Sequence, residues 1–570
     1  AGAKPSVQTR WVGGGMLTLR FRFFSIVVAI TMFAAVFSLV ARAQQASSPE
    51  YDLMIRGGRI IDGTGNPWFS GDVAIQEGRI VDVGAIGDAS ADREIDATGL
   101  VVAPGFIDLH GHSTNALLTD GNGESKLRQG VTLEVIGEGE SAAPVNDPAE
   151  GRSWATFTEY FSELMRDGIS MNLISHVSYN QIRRAVMDYE EGPATPNDLD
   201  RMKELTARAM EEGAWGMTSE FPSGGPTHIN EVIELAKVVA QYGGNFTSHT
   251  GSEGFEQEAE LNAAIRIAEE AQIPVHTFHL KIRSQENWGT IRKYIDQIEA
   301  ARARGLDITA NQYPYTAMNH GWAEIFPLWA REGGPEAFAQ RLNDPAIRER
   351  IKADPDFRTW SEEHGGWDGI VLGYATHTGR REYEGMTIAE IAKLRGNPDP
   401  ADTCLDLMAE ENGRIRGLFH TMSEEDVRLI MRQPWVAVAS DGQAINMENY
   451  PGLPHPRYFG ANVRVLGHYV REERVLSLED AVRKMTSLPA QILGLSDRGQ
   501  IREGFVADIA IFDPATVRHT NSFENPKSYA EGVHYTIVNG VLVIDGGKHT
   551  GARPGRPLLG RGHKQSVPTP

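Results

Sequence analysis

A chain of 570 residues with 76 acidic against 55 basic side chains carries a formal net charge of -21. A surface so acidic argues against nucleic acid or anionic membrane as a partner, while saying little about a small substrate whose site has its own local field. Hydrophobic residues at 41% and charged residues at 23% are an ordinary globular balance, and the length allows more than one domain.

Residues 1–15 are polar and glycine-rich, and Met16 is a candidate start. Arg20 and Arg22 precede an apolar run from Phe23 to Val40, closed by Ala41-Arg42-Ala43 with small residues where a signal peptidase reads. Residues 16–43 therefore read as a secretory signal peptide cleaved after Ala43, giving an exported, periplasmic or secreted protein. The rival reading is an uncleaved anchor, because the run approaches the roughly 20 apolar residues that span a bilayer. A membrane is a partner only in that case. Cys404, the single cysteine, excludes an intramolecular disulfide and reads as a packed core or surface residue.

From Tyr51 to about Ile95, short alternating strands are punctuated by Gly57-Gly58, Gly63 and Glu77-Gly78. The same signature returns at 508–514 and 535–547. The two pieces are expected either to pair into one small β-sandwich domain, 51–103 with 498–550, or to form two unrelated β caps. Between them, eight short apolar runs lie at 101–110, 131–137, 171–176, 214–219, 245–249, 273–279, 306–311 and 435–440. Helical spacing, as at 196–212 and 255–271, separates most of them. Strand and helix in alternation predict an α/β fold, a parallel (β/α)8 barrel over 104–497. The long gap before the eighth run predicts a lid inserted at about 318–430.

In such barrels the reactive side chains sit at the C-terminal ends of strands. The first run ends in His110-Gly111-His112, the second in Gly137-Glu138-Gly139-Glu140, and the fifth in His249. The sixth ends in His279 with Lys281 just beyond, and the eighth in Asp441. In an extended strand, residues i and i+2 point the same way, so His110 and His112 can reach one ion. Imidazoles with carboxylates suit Zn²⁺, and Mn²⁺ or Fe²⁺ less well. His176, His228, His377, His420 and His534 lie off this pattern and read as packed or surface residues.

APGFIDLHGH at 103–112 resembles the first-strand metal motif of the amidohydrolase superfamily. QGVTLEVIGEGES, SHTGSEG, FHLK, NQYPYTA, ASDG and LPHPRYFG follow in the order seen in the D-aminoacylase (N-acyl-D-amino-acid deacylase) family, a resemblance that runs over about 51–550. It implies a metal-dependent hydrolase that cleaves the amide of N-acyl-amino acids, D enantiomers foremost, with a metal-activated water. It also implies one or two divalent cations on His110, His112, Glu138, His249, His279 and Asp441, with Asp441 as the proton shuttle. Lys281, Tyr313 and Arg457 are then expected to bind substrate. Two departures stand out. The family's GNCG segment reads GEGE here, so Gly139 replaces a thiolate ligand; Glu138 is the favoured carboxylate substitute, with Glu140 and Glu220 as rivals. An arginine common two residues after the fifth-strand histidine is Gly251. Alternative activities are a cyclic amidase, a dipeptidase or an esterase, and, from another class, a barrel scaffold without catalysis.

Overall fold

The computed structural model describes residues 1–3, 6, 8 and 50–564, apart from 140, 146–153, 189–191, 221–227, 250–252, 255–256 and 449. The expected signal segment, Glu140 and Gly251 lie outside the described residues.

The apolar run at 101–110 splits at Gly105 into two strands with different partners. Val101–Pro104 pairs antiparallel with Ile509–Phe512 and parallel with Tyr51–Ile60, whereas Phe106–Asp108 pairs parallel with Val131–Ile136. A Cβ at Gly105 would fall 2.2 Å from the Thr132 hydroxyl, so glycine lets the chain cross from one sheet to the other. The two ends of the chain thus share one hydrogen-bonded sheet of nine strands, as expected. Side-chain alternation divides its strands between two cores. Ile509, Ile511 and Val102 turn to a core formed among the sheet's own strands, while Ala510, Phe512, Val101 and Ala103 pack with Val465, Leu466 and Met485 from the helical region.

Every other apolar run also contains a strand: Asn172–Ser175, Met217–Ser219, Phe246–Ser248, Val275–Thr277, Ile308–Gln312 and Val436–Val438. All their mutual pairings are parallel. They fall into a three-stranded and a six-stranded sheet, joined by the chain running straight from Asn172–Ser175 into Val177–Ser178. At the other seam, Asp441 N–H donates to His110 O at 2.9 Å and His112 N–H to Gly442 O at 3.1 Å. The helices between strands follow local chemistry. Pro196–Glu211 opens on Thr195, whose hydroxyl accepts from the Asp198 amide while Asp198 reaches back, with proline in the first turn. Its buried face is Met202, Thr206, Ala209 and Met210, a helical repeat facing the strands.

Between Ile308–Gln312 and Val436–Val438 lies the long insertion. It builds a three-stranded antiparallel sheet, Ala317–Gly321, Ile415–His420 and Ile370–Ala375, and a core of its own around Trp322, Phe326, Phe357 and Phe419. Cys404 is fully buried in that core, which decides between its two readings. Among the described residues no helix is long and apolar enough to cross a membrane.

Candidate functional site

The C-terminal ends of the parallel strands converge on one chamber of about 810 Å³. Beneath it, Asp108 ties the two seam strands together. One carboxylate oxygen accepts from the His110 and Ser440 amides at 3.2 and 3.0 Å, and the other accepts from Lys126 Nζ and Ser440 Oγ, each at 2.5 Å. Lys126, Asp108 and Glu134 are all fully buried. Burial opposes the charge on Lys126, but Asp108 and Glu134 outweigh it and raise its pKa. Burial lifts Glu134 to about 7 against the pull of Lys126. Glu134 also packs on Gly111, where an added Cβ would fall 1.6 Å from its carboxylate; this is why the residue between the two histidines has no side chain.

On this base, His110, His112, Glu138 and Asp441 bring ligand atoms within 4.8 Å of one another, and Glu138, His249 and His279 form a second such group. Glu138 is common to both. Its carboxylate touches His110 Nε2 with one oxygen and His249 Nε2 with the other, and lies 3.1 Å from His112 Nε2. Asp441 accepts from His112 Nε2 at 2.9 Å and pairs with Arg457 at 2.8 Å. Burial works against charge on both carboxyls. The surrounding imidazoles, with Arg457 in the case of Asp441, reverse that and hold both well below the ordinary carboxylate range. His279 Nδ1 is engaged by Lys281 Nζ at 2.7 Å and Glu253 at 2.8 Å, leaving Nε2 turned toward Asp441 at 3.9 Å. Such an outer partner fixes which ring nitrogen is offered to a cation. Two of these residues hold left-handed backbone, His279 at φ 28° and Asp441 at φ 51°. Strain of that kind costs on the order of 1–3 kcal/mol per residue and persists where the surroundings enforce it.

Four imidazoles and two ionised carboxylates facing one another form a donor set that suits a divalent cation, and a shared carboxylate can bridge two. The structure thus brings together all six expected ligand residues. It also brings Lys281, Tyr313 and Arg457 to one wall, with Lys281 Nζ 5.6 Å and the Arg457 guanidinium 4.8 Å from the Tyr313 ring centre. Glu220 stands beside Gly139: a Cβ there would lie 2.4 Å from its carboxylate oxygen. Burial first, then the neighbouring Glu138 and Glu324, lift Glu220 to about 7. Of the off-pattern histidines, His176 is a buried packing residue bonded to Asn245, and His377 and His420 are exposed.

Sequence reasoning missed Glu253, Asn311 and the group around Asp108. Glu253 pairs with Lys281 at 2.5 Å, and Asn311 Oδ1 accepts from the His279 amide at 2.7 Å. Burial opposes the charge on Glu253, but Lys281 and His279 hold its carboxyl below the usual range. The available signal was position, since Glu253 lies in the SHTGSEG motif and Asn311 opens NQYPYTA.

Parallel strands delivering a histidine and carboxylate cluster to one end define a hydrolase of the metal-dependent amidohydrolase kind, and the chain belongs to the amidohydrolase family, whose model matches residues 93–544. Its likeness is narrower than the family. It is 33% identical to the D-aminoacylase of Alcaligenes xylosoxydans xylosoxydans, covering 90% of this chain and 99% of that one. It is 32% identical to the N-acyl-D-glutamate deacylase of the same organism, covering 89% and 96%. Among solved structures, a D-aminoacylase described with a binuclear metal centre superposes with a TM-score of 0.75 at 30% identity, over 90% of this chain and 100% of that one. The N-acyl-D-glutamate deacylase of Bordetella bronchiseptica, complexed with zinc and a phosphonate mimic of the tetrahedral intermediate, gives 0.75 at 29% identity, over 89% and 99%.

Proposed function

We propose that this protein is a metal-dependent hydrolase that cleaves the amide bond of N-acyl-D-amino acids. The observation that carries the reading is Glu138, whose carboxylate belongs to both groups of ligand atoms and would stand in for the missing thiolate as a ligand. Glu138 is therefore preferred to Glu220 for that role. His110, His112 and Asp441 would hold one divalent cation and His249 and His279 a second, zinc before manganese or iron. The two parallel sheets are the halves of a (β/α)8 barrel, and the insertion between the seventh and eighth strands is its lid.

A bound cation supplies Lewis acidity, making a water more acidic and polarising the scissile carbonyl. Asp441 accepts the proton of the attacking water and delivers it to the leaving nitrogen, a short transfer because its carboxylate faces the ligand cluster from one side of the chamber. Arg457 and Lys281 hold the α-carboxylate of the substrate, the planar guanidinium matching two oxygens at once. Tyr313, whose ring lies under the Lys281 ammonium and the Arg457 guanidinium, orients the acyl carbonyl. The relatives named for D-amino-acid deacylation support the substrate class, and the phosphonate complex supports attack at a carbonyl. A cyclic-amidase reading wants a lysine after the strand Met217–Ser219, and Glu220 stands there.

Export belongs to the same proposal and rests on the apolar run 23–40 closed by Ala41-Arg42-Ala43. The test is elemental analysis of the purified protein together with amine release from N-acyl-D- and N-acyl-L-amino acids. Bound zinc with turnover of the D series is expected. Metal without turnover of either series sends the assignment to lactones, cyclic amides and dipeptides.

A further inference from the structure

One buried carboxylate oxygen in the chamber meets two residues with different tasks. Glu253 Oε1 lies 2.8 Å from Nδ1 of His279, assigned above as a cation ligand, and 2.5 Å from Nζ of Lys281, assigned to the substrate. All three residues line the chamber, and each is more than nine-tenths buried. Glu253 is held in place by its backbone. It has left-handed φ, 56°, and its carbonyl accepts from the Arg283 amide at 2.8 Å, which ties it to the segment carrying His279 and Lys281. The His279 peptide is fixed separately, since its amide donates to Asn311 Oδ1 at 2.7 Å and Asn311 Nδ2 donates to His276 Nε2 at 2.9 Å. That leaves the proton of the His279 ring and the direction of the Lys281 ammonium to be set.

Lys281 Nζ is also 2.7 Å from His279 Nδ1, and counting donors allows a neutral ring only two arrangements. In the first, the ammonium donates to Nδ1, the ring proton sits on Nε2, and the ring has no lone pair to offer the ligand cluster. In the second, the proton sits on Nδ1. An ammonium has three donors and no acceptor, so of the two groups beside Nδ1 only Glu253 can take that proton. Nε2, which faces Asp441 at 3.9 Å, then presents its lone pair to the cluster. The ammonium keeps its bond to Glu253 and is free to turn a further N–H into the chamber.

We propose that Glu253 is a positioning residue that selects the second arrangement, and so couples retention of a cation at His279 to capture of the substrate α-carboxylate by Lys281. It touches neither the substrate nor the reacting atoms and acts through its two neighbours. The proposal rests on the deacylase reading and deepens it. A carboxylate that only packed there would affect folding and leave the two functions unlinked.

The experiment compares the wild type with Glu253→Gln, Glu253→Met, Lys281→Met and the double variant Glu253→Met/Lys281→Met, in which neither charge of the pair is left buried alone. Zinc remaining after dialysis against graded EDTA is counted by elemental analysis. At saturating zinc, kcat and KM are measured for the N-acetyl-D-amino acid that the wild type turns over fastest. Glu253→Met is expected to lose zinc at about 10–100-fold lower EDTA, the usual effect of removing an outer partner of a ligand, whether or not Lys281 is present. Glu253→Gln keeps an oxygen that accepts from Nδ1 and should retain zinc nearly as the wild type does. KM should rise about tenfold in Glu253→Met, as for a misdirected charge-assisted contact, yet no further when Lys281 is already methionine. Zinc retention unchanged in Glu253→Met, equal loss in the Gln and Met variants, or a KM effect that adds in full to that of Lys281→Met refutes the coupling. No turnover of any N-acetyl-D-amino acid by the zinc-loaded wild type refutes the deacylase reading and with it the Lys281 half, while the zinc series still decides the His279 half.

Discussion

Replacing Gly139 by cysteine would restore the sulfur that the resembled family carries, and the structure says that this chain cannot accept it as it stands. Two separate costs apply. Gly139 has φ +67°, a left-handed conformation that charges a residue with a Cβ about 1 kcal/mol. The new Cβ would also lie 2.4 Å from Glu220 Oε1 and 3.1 Å from its carboxyl carbon, and crowding of that order costs about 1–3 kcal/mol. Gly139→Cys is therefore expected to lose about 2–4 kcal/mol. Glu220→Ala removes the atoms that collide, so in the double variant only the backbone cost should remain. The assay is urea unfolding of metal-stripped protein followed by tryptophan fluorescence, for the wild type, both single variants and the double. A coupling free energy of about 1–3 kcal/mol is the expected readout. If the two changes are simply additive, Glu220 does not fill the thiolate's space, and the account of how this chain replaced its cysteine fails.

Asp441→Asn should bind metal to near the wild-type stoichiometry while hydrolysis falls by about two to four orders of magnitude, the range for a lost general base; full turnover would remove the proton shuttle from the mechanism. Lys126→Met leaves Asp108 and Glu134 buried without their cation, and breaking such a pair from one side costs about 3–5 kcal/mol in a denaturation experiment. Unchanged stability would mean that the group under the seam carries no net charge. Burial depresses His176 to about 4. The unfolded chain therefore binds a proton that the folded one refuses between about pH 6.5 and 4, and stability is present above that window and lost as pH falls through it. From pH 7 to 5 the loss should be about 2 kcal/mol from this residue, and His176→Gln should flatten the profile by that amount; an identical pH slope in the variant would contradict its buried, neutral state.

The strand ends were legible because their signal is local. His110 and His112 share a side through the two-residue period of a strand, and each ligand closes an apolar run whose length and neighbours already mark a strand. The helix Pro196–Glu211 was legible for the same reason, through its cap and its repeat. The pairing of the two chain ends could be anticipated, but not the branching of the shared sheet at Tyr51–Ile60, because only long-range contacts decide which strands that segment pairs with. Other features depended on approach across the fold. Asp108 meets Ser440 from 332 residues away, Lys281 finds Glu253 across two neighbouring strand ends, and Gly139 and Glu220 share a space that nothing in either segment announces. Arg331 and Arg416 reach the same chamber from separate elements of the insertion. Sequence alone determined which residue types end which strands, since backbone periodicity is a short-range property. Only the tertiary structure decided which of them are neutralised and which are left facing the cavity, because charge balance in a buried site is set by distances between segments that the chain brings together from far apart.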